Sequence, residues 1–248
     1  MPILSAMSIV EEEEPDIQLK MPTFSVDNTY QNVPDPLPKQ SMFMAFIGAP
    51  RSGKSSLATA LLTTSSPKKV YNGVFDDVYL IVPLASYNSM NNNPFNSLHP
   101  SKRIHEFNKE ILDGIVEKLE VASKKKQLSL IIIDDYMSEL KNMDLRKSLE
   151  RLVANRRHLL CSVWVISQTY IAIPLSTRKM LSDVVMFRSN NMKELESLRQ
   201  ELVPIDRHIF MNVYNHIFPE GGDKHTFLYL KTETGEMYKR WTKLRIQN

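Results

Sequence analysis

The stretch Gly48–Ser55 constrains this chain more than any other, because two glycines, a lysine and a serine stand there at a diagnostic spacing. It reads Gly-Ala-Pro-Arg-Ser-Gly-Lys-Ser and matches the pattern G-x-x-x-x-G-K-[ST] at every fixed position. Glycines let the backbone curl so that successive N–H groups point at one anion, and a following helix adds its positive N-terminal dipole. The pattern therefore predicts a phosphate-binding loop, the Walker A motif of P-loop NTPases.

The flanking residues favour this interpretation over a glycine turn with a stray lysine. Residues 41–47 form a short apolar run typical of a buried parallel strand, and residues 55–62 favour a helix. We expect Lys54 to reach the β- and γ-phosphates of ATP, and the Ser55 hydroxyl to ligate Mg²⁺. The predicted nucleotide-binding residues are Gly48, Ala49, Pro50, Arg51, Ser52, Gly53, Lys54, Ser55 and Ser56.

A second chemical landmark is the acidic pair Asp134 and Asp135. Residues 128–133 before it are a largely β-branched apolar run, which predicts a buried parallel strand with the acids at its carboxyl end, where α/β sheets bind ligands. In a P-loop protein this is the Walker B segment. We expect Asp134 to hold Mg²⁺ and Asp135 to polarise the attacking water as a general base. The alternative is a strand that ends in two solvated acids.

Gln168 is the third candidate, at the end of another buried apolar run over residues 161–167. A polar amide at the tip of the strand after Walker B can sense the γ-phosphate or orient water. We therefore place Gln168 with Lys54 and Asp135 among the catalytic residues. This arrangement predicts one strand between the P-loop strand and the Walker B strand, as in RecA-like ATPases. The predicted fold class is α/β, with a mainly parallel central sheet flanked by helices.

Residues 226–241 predict a hairpin with a turn at Gly235. Its alternating aromatic and basic residues suit either a half-exposed sheet edge or stacking on single-stranded bases. Elsewhere the apolar periodicity predicts helices over 106–124, 138–158, 176–181, 192–203 and 205–216, strands over 73–82 and 183–187, and a loop over 88–100.

Residues 1–40 differ in character from the rest of the chain. They contain Glu11–Glu14, several prolines and little apolar periodicity, and they predict a flexible acidic arm before a P-loop ATPase domain over 41–248. Seven acids and two bases lie in this arm, whereas the whole chain has a net charge of +3. The predicted domain is therefore basic, which is compatible with nucleic-acid binding or with an ordinary solvated surface.

Composition excludes several classes of protein. The single cysteine, Cys161, rules out an internal disulfide framework, and its apolar neighbours favour a buried structural thiol over a nucleophile. No apolar run approaches the roughly 18–20 residues that span a bilayer, so no membrane partner is expected. The N-terminus lacks the basic region of a secretory signal. The six histidines show no metal-binding spacing.

The order of four motifs resembles that of poxvirus-type genome-packaging ATPases, which belong to the FtsK–HerA superfamily of DNA-pumping motors. These proteins occur in large DNA viruses, virophages and related elements. The motifs are the Walker A loop, Asp134-Asp135, Asn155-Arg-Arg-His158 and Ile166-Ser-Gln-Thr169. The resemblance covers roughly residues 41–240. Related motors often carry Asp-Glu at Walker B, whereas the second acid here is the shorter Asp135.

The resemblance implies ATP hydrolysis, with Mg²⁺, that drives double-stranded DNA into a preformed capsid. It implies a ring of like subunits, commonly pentameric or hexameric, with capsid proteins as further partners and with the host cytoplasm or the virion as location. ATP would lie at each subunit boundary, where an arginine of the neighbour completes the site. The sequence offers Arg156 and Arg157 for this role, with Arg178 as a rival, and Arg51 as a further cation inside the loop.

Two other functions stay open from the residues. A P-loop phosphotransferase for a nucleoside or another small molecule needs a lid with clustered arginines and an acceptor pocket, and the sequence shows neither clearly. A non-hydrolysing scaffold that merely binds nucleotide is the other. Asp134, Asp135 and Gln168 argue against it, because a scaffold needs no groups that position water.

Overall fold

The computed structural model describes residues 30–65, 69–89 and 93–246. These residues form a nine-stranded sheet covered by helices. The strands are β1 (Phe43–Ile47), β2 (Asp77–Ile81), β3 (Arg103–Ile104), β4 (Ser129–Asp134), β5 (Cys161–Ser167), β6 (Asp183–Phe187), β7 (Phe227–Lys231), β8 (Met237–Lys239) and β9 (Thr242–Lys243). The helices are α1 (Lys54–Thr63), α2 (Leu84–Asn88), α3 (Lys109–Lys124), α4 (Met143–Asn155), α5 (Leu175–Arg178), α6 (Met192–Leu202) and α7 (Arg207–Ile217). Short 3₁₀ turns lie at Pro94–Ser97, Pro100–Lys102, Met137–Lys141 and Tyr170–Ala172.

The strand order is β3-β2-β4-β5-β1-β6-β7-β8-β9. The first six strands in this order pair in parallel. The strands β7, β8 and β9 extend the sheet from β6 through antiparallel pairs. The α/β fold class is therefore confirmed. One strand, β5, separates β1 from β4, as predicted. In register, Ile47 lies opposite Ser167 and Asp134 lies opposite Ile166, so the ends of these three strands meet at one edge.

The central strands β1, β4, β5 and β6 are buried along almost their whole length. Helices cover both faces of the sheet, which is why these strands are continuous apolar runs. Side chains of β1 alternate between the two layers. Phe43, Ala45 and Ile47 pack with α3, α4, α6 and α7, whereas Met44 and Phe46 pack with α1.

Asparagine caps place two helix starts later than periodicity predicts. The Asn108 side chain accepts a hydrogen bond from the Ile111 N–H at 2.9 Å, so α3 begins at Lys109. Asn142 accepts from the N–H groups of Asp144 and Leu145. The helix predicted over 138–158 is therefore a 3₁₀ turn followed by the shorter α4. A side-chain cap satisfies N–H groups that have no partner within the helix, and it thereby fixes where the helix begins.

Residues 30–40 pack against the sheet. Tyr30, Val33 and Leu37 are buried in the layer that holds α1, and the Tyr30 hydroxyl lies 2.6 Å from Ser162 Oγ of β5. This part of the predicted arm belongs to the body, which corrects the predicted boundary at residue 40. Single apolar residues spaced by prolines carry no periodic signal, so the sequence did not reveal the packing. Residues 1–29 of the predicted arm lie outside the described residues.

The C-terminal hairpin forms as predicted from β7 and β8. Tyr229 and Tyr238 face each other and are buried, and Trp241 packs on the rings of Phe227 and Tyr229. In this arrangement the tyrosines are core residues, which supports the sheet-edge interpretation over base stacking. Within the described part of the chain, the longest and most apolar helices fall short of what crossing a bilayer requires.

Candidate active site

The loop between β1 and α1, residues 48–53, has a backbone that only certain residues tolerate. Arg51 and Gly53 have φ angles of +63° and +107°, in the region that favours glycine. A Cβ on Gly48 would lie 2.8 Å from Phe187 Cβ, and one on Gly53 would lie 3.0 Å from the His225 ring. Close packing therefore favours glycine at both positions of the motif. At Gly53 the positive φ angle favours glycine as well.

Lys54 is the first residue of α1, and its side chain folds back over the loop. Its Nζ donates hydrogen bonds to the carbonyl oxygens of Gly48 at 2.7 Å and Ala49 at 2.9 Å. Burial lowers the pKa of Lys54, and the charges of Asp134 and Asp135 oppose that shift. A partly desolvated ammonium whose direct partners are carbonyl dipoles is well placed to bind a phosphate oxygen.

Ser55 and Asp134 form the candidate metal-binding pair. The Ser55 hydroxyl donates to Asp134 Oδ2 at 3.0 Å. Burial raises the pKa of Asp134 to about 6; the Ser55 hydrogen bond and the charge of Lys54 lower it, and the charge of Asp135 raises it further. A hydroxyl and a carboxylate are hard oxygen donors of the kind that Mg²⁺ prefers. Groups of three or more His, Cys, Asp or Glu that could hold a metal are absent from the described residues.

Asp135 and Gln168 lie side by side at the tips of β4 and β5. The Gln168 amide donates to Asp135 Oδ1 at 3.3 Å, and both residues are exposed. Asp135 has a φ of +61°, and its N–H donates to the Ile166 carbonyl at 3.3 Å. The unusual backbone at Asp135 turns the chain at the strand end and places the carboxylate beside the amide.

These groups share one cleft of about 340 Å³. Its lining brings together the predicted loop, Walker B and Gln168 positions, and it adds two serines from the region of α2. The lining residues are Pro50, Arg51, Lys54, Ser55, Ser86, Ser89, Asp134, Asp135, Ile166, Ser167 and Gln168. The remaining predicted loop residues, Ser52 and Ser56 among them, lie in the loop or in the first turn of α1.

Arg156 and Arg157 are not part of this cleft. Arg156 Nε donates to the Ser41 carbonyl at 3.3 Å, and Nη1 donates to the Val153 carbonyl at 2.9 Å. Ser41 precedes β1, so both arginines lie at the end of the sheet opposite the loop. Their predicted role across a subunit boundary stays a prediction. The rival, Arg178, is engaged by Glu201 through two hydrogen bonds of 2.6 Å.

Sequence reasoning missed two residues that contact or face the loop. Arg188 follows β6 and lines a second cleft of about 850 Å³ together with Arg51 and Ser52. His225 precedes β7, and its Nδ1 lies 3.1 Å from the Ser52 carbonyl oxygen, to which it donates a hydrogen bond. The position of Arg188 after a buried strand was a usable signal, whereas nothing local marks His225.

Comparisons with known proteins identify a family and a shared fold. The sequence profile described as "Poxvirus A32 protein" matches residues 31–220. The DNA-packaging ATPase B204 from Sulfolobus Turreted Icosahedral Virus is 15% identical, with a TM-score of 0.59 over 83% of this chain and 98% of that chain. The genome packaging NTPase B204 from Sulfolobus turreted icosahedral virus 2, in complex with ATP-gammaS, is 13% identical, with a TM-score of 0.55 over 83% and 98%.

At these identities the two solved structures establish a shared fold. The comparison with curated proteins found no match. The family profile covers well over half of the chain, and it includes the loop, both strand-end acids and Gln168. The chain belongs to the poxvirus A32 protein family.

Proposed function

We propose that this chain is an ATPase subunit that assembles into a ring and pumps viral double-stranded DNA into a preformed capsid. One observation carries the proposal: Lys54, the Ser55–Asp134 pair and the Asp135–Gln168 pair meet in one cleft. They come from three separate segments of the chain. Together they supply an anion site, a hard cation site and a carboxylate beside an amide, which are the parts that phosphoanhydride hydrolysis requires.

Each residue then has a distinct role. Lys54 exchanges its carbonyl partners for phosphate oxygens, and the loop N–H groups bind the same phosphates. Ser55 and Asp134 would hold Mg²⁺, a cation that neutralises phosphate charge when bound. Asp135 accepts a proton from the attacking water, and Gln168 holds that water and the carboxylate in line.

The second cleft, of about 850 Å³, is the proposed place of the nucleoside. It adjoins the same loop on the β6 side, whereas Asp134 and Gln168 lie on the β4 and β5 side. A nucleoside triphosphate that crosses the loop therefore places its nucleoside in this second cleft and its terminal phosphate in the cleft that holds Asp134 and Gln168. The volume lies in the range of ordinary small-molecule sites, about 300–1,000 Å³.

DNA as the substrate is supported by family membership and by charge. The B204 protein that shares the fold is described as a DNA-packaging ATPase. The net charge of +3 arises although residues 1–40 are strongly acidic, so the rest of the chain is basic. A basic surface attracts the phosphate backbone without regard to base sequence. A ring of five or six subunits, capsid partners and a location in the host cytoplasm or the virion are parts of the same proposal.

The test measures ATP hydrolysis with and without duplex DNA over a series of salt concentrations. We expect DNA to stimulate hydrolysis, and we expect Lys54→Ala and Asp134→Ala to abolish it. Lys118→Ala, which changes an exposed lysine of α3, is the matched control and should hydrolyse ATP normally. Hydrolysis that ignores DNA at every salt concentration would contradict a DNA motor.

Two further measurements separate the alternatives. A motor releases inorganic phosphate without a phosphorylated acceptor, whereas a phosphotransferase produces one acceptor phosphate for each ATP consumed. Native mass spectrometry with an ATP analogue and duplex DNA tests the ring directly. A strictly monomeric protein under those conditions would contradict the ring.

A further inference from the structure

Glu194 is a buried carboxylate that the chemistry above does not use. It is the third residue of α6 and only 2% exposed. A glutamate at this position ordinarily turns back to the N–H of the capping residue. Here that N–H, on Asn191, donates to Ser189 Oγ at 3.2 Å. The Asn191 side chain caps the N–H groups of Lys193 and Glu194. Capping of α6 therefore does not explain the Glu194 carboxylate.

The partners of Glu194 lie on two strand tips. Oε1 accepts a hydrogen bond from the backbone N–H of Tyr170, and Oε2 accepts one from the Ser189 hydroxyl. Tyr170 comes two residues after Gln168, on the tip of β5, and Ser189 directly follows Arg188, on the tip of β6. Because β1 lies between β5 and β6, one carboxylate links the two tips that flank the phosphate-binding loop.

Tyr170 and Ser189, the two anchors of Glu194, are each bonded to the layer of helices beneath. The buried Tyr170 side chain donates its hydroxyl to Glu201 Oε2 at 2.9 Å. The Ser189 N–H donates to the Tyr214 hydroxyl at 2.7 Å, and that hydroxyl donates to the Ser189 carbonyl at 2.8 Å. Glu194 therefore joins two points that are each held in place, and it sets their separation.

We infer that Glu194 is a positioning residue that keeps the Gln168 tip in register with the Arg188 tip across the loop. The inference rests on the proposed ATPase function. Without the carboxylate, the buried Tyr170 N–H loses its acceptor and the turn that carries Gln168 is released. Gln168 then no longer holds Asp135 and the attacking water in line, and a displacement of about 1 Å can lower a rate about 100-fold.

The test compares kcat and KM for ATP in four variants. Glu194→Met removes both acceptors at similar side-chain length, and Glu194→Gln retains an acceptor for Tyr170 and a polar partner for Ser189. Ser189→Ala removes one anchor. Glu196→Met is the control, because Glu196 lies on the same helix and its hydrogen bonds go to Arg199 and Gln200 rather than to either tip.

We expect Glu194→Met to lower kcat at least about tenfold with KM within about twofold, Glu194→Gln to recover most of the loss, and Ser189→Ala to fall between them. Glu196→Met should match the wild type. A double-mutant cycle with Gln168→Ala adds a readout that plain destabilisation does not move. If Glu194 acts through Gln168, Glu194→Met changes kcat little in the Gln168→Ala background.

Two results overturn the inference. One is a kcat for Glu194→Met within about twofold of the wild type. The other is a double mutant whose loss of kcat is the product of the losses in Glu194→Met and Gln168→Ala. If Glu194→Met does not fold, Ser189→Ala takes its place in the cycle. The inference is then overturned if Ser189→Ala lowers kcat equally in the wild type and in the Gln168→Ala variant. A wild-type protein without ATPase activity overturns the proposed function together with this inference. An active wild type with multiplying losses overturns the positioning role alone.

Discussion

Two aspartates at opposite ends of the same sheet show how location changes the role of one residue type. Asp134 ends β4, and Asp183 begins β6. Burial raises the pKa of both carboxyl groups, that of Asp134 to about 6. Asp183 accepts hydrogen bonds from the Tyr229 hydroxyl at 2.6 Å and the Ser182 hydroxyl at 2.7 Å. Asp134 accepts one side-chain hydrogen bond, from Ser55, and faces a cleft.

The difference teaches that the direction of the strands decides which buried acid is available for chemistry. The carboxyl ends of β1, β4 and β5 open into loops whose backbone is unusual at Arg51 and Asp135. The segment 30–40 packs over the amino ends, and its Pro36 carbonyl also accepts from the Tyr229 hydroxyl. We call this the closed end because Asp183 is buried there, although a cleft of about 420 Å³ also borders it. At the closed end the carboxylate is satisfied by protein, and at the open end it keeps capacity for a ligand.

The largest expected effect separates the two acids by activity. Asp134→Asn should lower kcat for ATP hydrolysis about 100-fold or more, because it removes the anionic oxygen proposed to hold Mg²⁺. Asp183→Asn should keep kcat within about twofold, since Asp183 lies at the other end of the sheet. Steady-state hydrolysis at saturating Mg²⁺ and ATP measures both. Equal losses would remove the distinction between the two ends.

The next effect tests whether the closed end serves a neighbouring subunit. If Arg156 completes the site of the next subunit, Arg156→Ala should lower hydrolysis at least about tenfold. Mixing it with Lys54→Ala subunits should then restore part of the activity, because some boundaries regain both groups. Arg151→Ala, an exposed change on α4, the helix that ends directly before Arg156, is the control. A variant that only melts at lower temperature would show that the bonds to Ser41 and Val153 are the whole role of Arg156.

A smaller effect appears in stability. At neutral pH, Asp183→Asn should lower the free energy of unfolding by about 1 kcal/mol, because the amide cannot accept from both the Tyr229 and Ser182 hydroxyls. Asp134→Asn should leave it within about 0.5 kcal/mol of the wild type or raise it, since it removes a half-buried charge beside a cleft. Urea unfolding measures both, and the reverse ranking would contradict the comparison.

The smallest effect is a pH dependence at the closed end. Between the ordinary carboxyl pKa of 3.8 and the raised pKa of Asp183 in the folded protein, the folded state binds more protons than the unfolded chain. Asp183 therefore contributes to the wild type a free energy of unfolding that falls as the pH rises through this window. Asp183→Asn lacks this slope, so its deficit against the wild type should shrink as the pH rises. Urea unfolding at several pH values tests this, and a growing deficit would contradict it.

Much of the site was predictable because its signals are local in sequence. Lys54 belongs to an eight-residue motif, and Asp134 and Gln168 each end a continuous apolar run. Since parallel strands share one carboxyl edge, three such ends had to meet once the strands paired in the expected order. The confirmed order places β5 between β1 and β4.

The missed residues depend on partners that are distant in sequence. His225 contacts the Ser52 carbonyl across 173 positions of the chain, and Glu194 contacts the Tyr170 N–H across 24. Neither residue stands in a pattern that predicts its partner. The buried segment from Tyr30 was missed for the same reason, because Tyr30 contacts Ser162 of β5 and the Tyr71 and Phe75 rings, all distant in sequence.

By itself the sequence determined the phosphate-binding loop, the buried strands and the acids and amide at their ends. These follow from backbone sterics and from the hydrophobic run that a parallel strand needs when both of its faces are covered. Only the tertiary structure decided which polar groups share a cleft, that Arg156 lies at the far end of the sheet, and that Glu194 joins two strand tips. Those outcomes depend on contacts between segments that are distant in sequence. Burial and hydrogen bonding of these groups are decided only when the segments pack together, so no local sequence pattern predicts them.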